Sequence, residues 1–405
     1  MNSIEIKLQD DQRRYLEFAK KHKGKKFFIF GAGRMAKPLF LFLDKNGIKL
    51  EAFCVSNKAL NKSNEYNIPI IEIDEIYEDK DNVAFFLGVN PKLNLEIEQL
   101  LQEKGFINYI LSTEAIRNYG EERYEFFKNP MMEITTKIGC EVNCKYCPQE
   151  VFLKKYFETR CEDKMMSFET FKTCIDKMPK NVLIEFAGFT EPFFNPECVD
   201  MILYAYGRGH KVSLFTTLRG VNKEILEKIL DVQFEEFVLH VPDEEGYSVI
   251  PITEEYLKLI DKLVTVKKAN GEEFVDYISS QGTIPEIVKE HLGNNVRIFT
   301  MLTDRAGNLS DEVLYSKKNL RGRIRCELSS TINHNILLPD GRVTICSQDF
   351  GLKHVLGNLL ESTYDEVVNG NVARHILACM DDINDTSILC RDCCQAYVLD
   401  DREEK

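Results

Sequence analysis

The chain has 405 residues, enough for two or three domains, and its 44% hydrophobic and 29% charged content is that of a protein able to bury a sizeable core. A formal net charge of −13 with no long basic tract argues against nucleic acid as a partner. No run is long enough to span a membrane and no signal peptide or lipidation signal stands out, so a cytoplasmic protein without a membrane partner is expected.

The first region runs from about Lys23 to Thr113. The lysines before it (Lys20, Lys21, Lys23, Lys25, Lys26) read as a solvated surface. Strands are expected at Phe27–Phe30, Leu50–Val55, Pro69–Ile73, Val83–Val89 and Asn108–Leu111, with helical patterns after Ala36 and over Pro91–Lys104. Such alternation predicts a parallel sheet with helices on its faces. Gly31-x-Gly33-x-x-Ala36 is a dinucleotide-type fingerprint, but the acidic residue that NAD requires about 20 residues on is replaced by Val55, Ser56 and Asn57. The region resembles Rossmann-like domains found beside sugar-modifying enzymes, where the glycine loop can hold a nucleotide. The failed acidic test favours a scaffold for packing or substrate docking. Glu114–Lys128 reads as an amphipathic connecting helix, broken by Asn129-Pro130.

The second region, about Pro130 to Asp311, reads as repeated strand–helix units. Strands are expected at Met132–Thr136, Val182–Phe186, Lys211–Thr216, Phe234–Leu239, Glu273–Ile278 and Val296–Met301. Helical patterns between them include Pro196–Gly207, Lys223–Leu230, Glu254–Lys268 and Ile284–Leu292. Cys140, Cys144 and Cys147 follow the first of these strands with the spacing C-x3-C-x2-C. Three thiolates in one short loop suit a metal cluster better than a disulfide. A [4Fe–4S] cluster takes four thiolates, so three leave one iron open for a second molecule. A zinc knuckle more often pairs C-x2-C units and brings a fourth ligand, and three buried thiols are the plainer alternative.

This spacing, with Tyr146 before the last cysteine, resembles the signature of radical S-adenosylmethionine (SAM) enzymes. The resemblance implies a partial (β/α)6 barrel with its chemistry at the carboxyl ends of the strands, a [4Fe–4S] cluster on Cys140, Cys144 and Cys147, and SAM on the open iron. The family's acidic glycine motif after the second strand corresponds to Ala187-Gly188-Phe189-Thr190-Glu191-Pro192. On that resemblance Glu191 accepts hydrogen bonds from the SAM ammonium, and Gly188 lets the backbone approach. The second glycine of the motif is absent, so Phe189 or Thr190 shapes the loop differently, and a plain surface carboxylate is the alternative for Glu191. Tyr146 is expected beside adenine or packed in the core. Thr216 and Thr217 face SAM or substrate, or simply end a strand. His240 contacts ribose or a loop carbonyl. Gln281, Asp304 and Arg305 follow the fifth and sixth strands, and Arg305 either anchors an anionic substrate or lies on the surface.

The third region runs from about Asn319 to the end. Cys326, fourteen residues, Gly341, four residues and Cys346 are followed by Cys390-x2-Cys393, and Asp340-Gly341 marks a hairpin between Ile336–Leu338 and Arg342–Ile345. The order resembles the auxiliary-cluster domains called SPASM or, with one cluster, Twitch. It implies one auxiliary [4Fe–4S] cluster on Cys326, Cys346, Cys390 and Cys393; a zinc ribbon on the same thiols is the alternative. Cys379 or Cys394 could replace one ligand. Of the thirteen cysteines, too many for a disulfide framework in a reducing compartment, Cys54, Cys174 and Cys198 read as buried hydrophobes, and Cys161 has no assignment.

The expected architecture is therefore α/β: a Rossmann-like domain with its connecting helix at 1–128, a partial barrel at 129–318 and a small iron–sulfur domain at 319–405. The resemblance implies an oxidoreductase that uses a 5′-deoxyadenosyl radical to take hydrogen from a small, carbohydrate-like substrate, a sugar or nucleotide-sugar, while the auxiliary cluster accepts an electron. A flavodoxin or ferredoxin would donate electrons. The rivals are a peptide maturase forming crosslinks or thioethers, a radical epimerase, and a non-enzymatic metal-binding protein.

Overall fold

A computed structural model describes residues 3–32, 36–56, 68–89, 93–111, 130–159, 163–269, 271, 273–292, 296–298, 302–309, 319–326, 328–329 and 332–398. Gly33, Asn57, the expected connecting helix, Cys161 and the end of the expected strand at Val296–Met301 lie outside them. The chain divides into two compact units, Met1–Lys128 and Asn129–Lys405. Among the described residues no helix is long and apolar enough to cross a membrane.

In the first unit, helix α1 (Ser3–Lys21) precedes β1 (Lys26–Phe30), α2 (Ala36–Lys45), β2 (Leu50–Val55), β3 (Ile70–Glu72), β4 (Val83–Leu87), α3 (Asn94–Glu103) and β5 (Tyr109–Ile110). The strands pair in parallel in the order β3-β2-β1-β4-β5, which is the Rossmann order as far as it goes. β4 is buried at every position, as a parallel strand covered on both faces must be. The glycine turn obeys its steric logic. Gly31 has φ +106°, and a Cβ there would come within 2.8 Å of the Gly88 carbonyl oxygen. Gly88 in turn lets Ala36 of α2 press onto the sheet; a Cβ on it would lie 2.9 Å from the Ala36 Cα. Helix α1 lies upstream of the region where periodicity was legible. It packs Tyr15 against Phe42 and Phe86 at ring separations of 6.3 and 6.0 Å.

The second unit opens with β6 (Met131–Ile134), α4 (Gln149–Glu158), α5 (Phe168–Asp176), β7 (Leu183–Phe186), α6 (Cys198–Gly207), β8 (Val212–Thr216), α7 (Lys223–Ile229), β9 (Glu236–His240), α8 (Glu254–Thr265), β10 (Tyr277–Ser280), α9 (Glu286–Lys289) and β11 (Val296–Ile298). β12 (Ile324–Cys326), β13 (His334–Leu337), β14 (Arg342–Thr344), β15 (Val355–Asn358), α10 (Tyr364–Val368), α11 (Asn371–Asp381) and β16 (Ala396–Val398) complete it. Strands β6 to β11 are parallel neighbours in chain order, the product of successive strand–helix crossovers. Their outer residues (Met132, Ile134, Ile184, Phe186, Leu214, Phe237) join one buried cluster with Phe171, Ile202, Leu226 and Ile260 of the helices.

Two boundaries differ from expectation. The strand expected at Glu273–Ile278 begins only at Tyr277, because Glu273 bridges back to Lys267 and the Asp276 carboxylate is held by Lys268 and the Phe237 amide. The helix expected over Ile284–Leu292 shortens to Glu286–Lys289 behind Pro285.

The C-terminal strands do not stand apart from this sheet. β13 pairs in parallel with β6, Met131 opposite His334 and Ile134 opposite Leu337, and β14 and β15 continue antiparallel. The result is one sheet of nine strands, β11-β10-β9-β8-β7-β6-β13-β14-β15. The expected hairpin turns at Gly341, whose φ is +81°.

Candidate functional site

The three-cysteine loop leaves the carboxyl end of β6. Gly139 (φ +87°) and Asn143 (φ +49°) turn the backbone, and pairings of the Lys145 amide with the Tyr247 carbonyl and of the Val249 amide with the Val142 carbonyl pin the loop. Cys140, Cys144 and Cys147 are each half-buried. Burial raises all three thiol pKa values, that of Cys144 to about 12, and Cys144 also feels the charges of Cys147 and Cys140. Gln149 Nε2 donates to Cys147 at 3.2 Å, and groups that favour a thiolate surround the other two sulfurs: the Val142 and Glu191 amides and Thr190 beside Cys140, the Tyr146 side chain beside Cys144. Donors aimed at sulfur are what holds and tunes a thiolate-bound cluster. A metal replacing the thiol proton also removes the conflict between burial and ionisation. The donor set therefore fits a cluster on this loop.

The loop after β7 supplies the residues expected at SAM. Gly188 has φ +61°, and a Cβ there would collide with Thr135 Oγ1 and lie 3.0 Å from the Thr135 amide nitrogen. Gly188→Ala should therefore cost roughly 2 kcal/mol from αL strain and overpacking, read by thermal denaturation; an unchanged midpoint would refute the steric argument. Asn195 fixes the far side of the loop, donating to the carbonyls of Thr136 (2.9 Å) and Met166 (2.8 Å).

Glu191 is almost wholly buried, 4% exposed, so it is no surface carboxylate. It accepts from Thr216 Oγ1 at 2.7 Å, the Thr217 amide at 2.7 Å and Thr217 Oγ1 at 2.6 Å. Burial raises its pKa against those three bonds. Thr216 and Thr217 thus serve Glu191. The Phe193 amide also favours its charged form.

Tyr146 lies against Cys144, and burial pushes its phenol pKa up. Arg305 donates from Nε to the Tyr146 carbonyl at 3.3 Å and acts electrostatically on Cys144, Cys147, Glu133 and His240. Glu133 is on β6 and His240 on β9, so its influence spans the inner face from one to the other. His240 is hydrogen-bonded to Ser279 on the neighbouring strand, not to a loop carbonyl, and burial lowers its pKa to about 4. Asp304 is buried, and among the described residues neither carboxylate oxygen is hydrogen-bonded.

Sequence reading missed the carboxylates of this inner face. Glu133, Glu185, Ser213 and Glu236 are register partners on β6, β7, β8 and β9. A polar residue within each of four largely apolar strands was the signal available. Burial raises the pKa of Glu133 and Glu185, and Glu185 is raised further by Glu133 and Glu236. A raised folded-state pKa gives a stability contribution that is full below the ordinary Glu range and is lost as pH climbs toward the raised value. Glu185→Gln should therefore be more stable than the parent at about pH 8, with the advantage shrinking toward about pH 4. Thermal denaturation across that range checks it, and a less stable variant at the alkaline end would refute it.

The C-terminal cysteines also gather. Cys346 feels Cys390 and Cys326, Cys390 feels Cys326, and Cys393 feels Cys346. Cys394 touches Cys393 thiol to thiol. Cys379 lies instead with His375, Asp385 and Ser387. Among the described residues no three His, Cys, Asp or Glu groups converge closely enough to hold a single metal ion. The residue that shapes this corner is Arg391, between the last two ligand candidates and also missed in the sequence. Only 1% exposed, it donates to the carbonyls of Leu320, Gly322, Cys379 and Asp382. Cys54, Cys174 and Cys198 are buried in apolar surroundings, as expected.

Residues 326–394 match the family model of SPASM, an iron–sulfur cluster-binding domain. No curated protein matches the chain. Among solved structures the chain is similar to BtrN in complex with AdoMet and 2-DOIA, at 16% identity over 65% of this chain and 91% of that one, with a TM-score of 0.44. It is similar to Streptococcus suis SuiB bound to precursor peptide SuiA at 13% identity over 72% and 81%, TM-score 0.39. Native anSMEcpe with bound AdoMet gives 14% identity over 62% and 84%, TM-score 0.38.

Proposed function

We propose that this chain, in which residues 326–394 are a SPASM iron–sulfur domain, is a radical SAM enzyme that oxidises a small, carbohydrate-like substrate. The observation that carries the reading is the three-thiol loop at the end of β6, its sulfurs met by groups that favour a thiolate, in the same compact unit as the SPASM segment. When bound, a [4Fe–4S] cluster with SAM on its open iron supplies hydrogen-atom abstraction, and the SPASM cluster supplies an electron sink.

The protein's own part is to hold and to exclude. Cys140, Cys144 and Cys147 would hold the first cluster, and Cys326, Cys346, Cys390 and Cys393 the second. Glu191, fixed by Thr216 and Thr217, would meet the SAM ammonium with its negative charge. Gly188 lets the backbone pass close to the cofactor, and Tyr146 walls the adenine side. The inner face holds the reacting carbon in place and keeps bulk water from it. A cytoplasmic location and a flavodoxin or ferredoxin as electron donor belong to the same reading.

Anaerobic reconstitution with iron and sulfide, iron analysis, dithionite reduction and assay for 5′-deoxyadenosine after SAM addition test it. About eight irons per chain with 5′-deoxyadenosine formed is the expected result. Zinc in place of iron, with SAM left intact, would overturn it.

A further inference from the structure

The inner face carries carboxylates that its described neighbours do not balance equally. Glu133 is anchored: the Ser347 side chain and the Gly188 amide hydrogen-bond it, and Arg305 lies near. Glu185, its register partner on β7, is 8% exposed. Among the described residues no donor or cation is recorded on its carboxyl group, and the charges it feels are those of Glu133 and Glu236. The next residue in the row, Ser213, is fully buried, and its hydroxyl has no hydrogen-bond partner among the described residues. A buried carboxylate with like charges on both sides and an unpartnered hydroxyl beside it are two separate unmet demands on one patch.

We propose that Glu185 and Ser213 form the recognition point for a protonated amine on the substrate. An ammonium group has three donors and no acceptor. Seated there it would give Glu185 its missing counter-charge, satisfy Ser213 Oγ as an acceptor, and have Glu133 or Glu236 as a third contact. A neutral hydroxyl in the same place would satisfy Ser213 but bring no cation to Glu185 and its acidic neighbours Glu133 and Glu236. His240, the neutral imidazole on β9, adds no competing cation, and Arg305 is engaged on the Glu133 side. The substrate class that follows is an amino sugar or amino-polyol. This inference rests on the reading of the chain as a small-molecule enzyme.

Calorimetric titration of the anaerobically reconstituted, SAM-loaded protein with D-glucosamine and with D-glucose tests it. The amino sugar should bind about tenfold tighter or more, the gain of one charge-assisted contact. Glu185→Gln should abolish that preference while keeping iron content and circular dichroism. Ser213→Ala should weaken both sugars and keep the preference. Equal binding, tighter binding of D-glucose, or no heat from either sugar with the unmodified protein would overturn the proposal. The readout is heat, not turnover. An amine preference in a protein that cleaves no SAM would therefore remove the radical reading and leave this one standing.

Discussion

Cys144→Ala should drop the reconstituted protein from about eight irons per chain to about four and reduce 5′-deoxyadenosine formation to that of a no-enzyme control. The physical reason is the geometry of the loop. Its three sulfurs come from one short stretch held by the Lys145 and Val249 amides, and that stretch holds no fourth cysteine to take the vacated place. The group beside Cys144, the Tyr146 side chain, would be left facing a methyl group. Alanine at Cys54, Cys174 or Cys198 is the matched control. Each of these thiols sits in the apolar interior, so its loss should cost roughly 1 kcal/mol through a small cavity with iron and activity kept. Full iron loading in Cys144→Ala would remove this loop from the cluster.

Arg391→Ala should be the most damaging single change in the C-terminal segment, costing about 3–5 kcal/mol and the auxiliary irons with it. The guanidinium gathers carbonyls from two separate stretches, Leu320 and Gly322 on one side and Cys379 and Asp382 on the other. Truncation leaves four acceptors in a nearly dry interior, next to the backbone that presents Cys390 and Cys393. Arg391→Lys keeps the charge but not the planar fork, so it should fall between parent and alanine. Thermal denaturation with iron analysis reads both effects. An unchanged midpoint in the alanine variant would show that the corner is organised by the cysteines alone.

Much of this was legible before any coordinates. Largely apolar runs such as Leu50–Val55 and Lys211–Thr216 found their strands almost to the residue, because a strand covered on both faces is mostly apolar. The Asp-Gly turn marked the hairpin between β13 and β14. What stayed hidden were effects without local signature. Glu133, Glu185, Ser213 and Glu236 become a row only once four strands lie in register. Arg391 looks like any charged residue between two cysteines until its carbonyl partners arrive from distant stretches of chain. The donors on Glu191 come from the next strand, and a Gly-Gly-Glu comparison says nothing about them. Helix α1 precedes the first strand, in a stretch too charged for its apolar spacing to stand out.

The pairing of β13 with β6 also has a bearing on how the chain is made. β6 is synthesised about two hundred residues before the strand that closes its far edge. At ribosomal rates that leaves the edge bare for roughly 10 to 40 seconds, and a bare parallel edge is a template for wrong partners. Long-range pairing of this kind is slow to form even after synthesis. Yield of soluble protein should therefore respond to translation speed and to chaperone supply, and a nascent chain stalled before residue 334 should aggregate where one released after residue 337 does not.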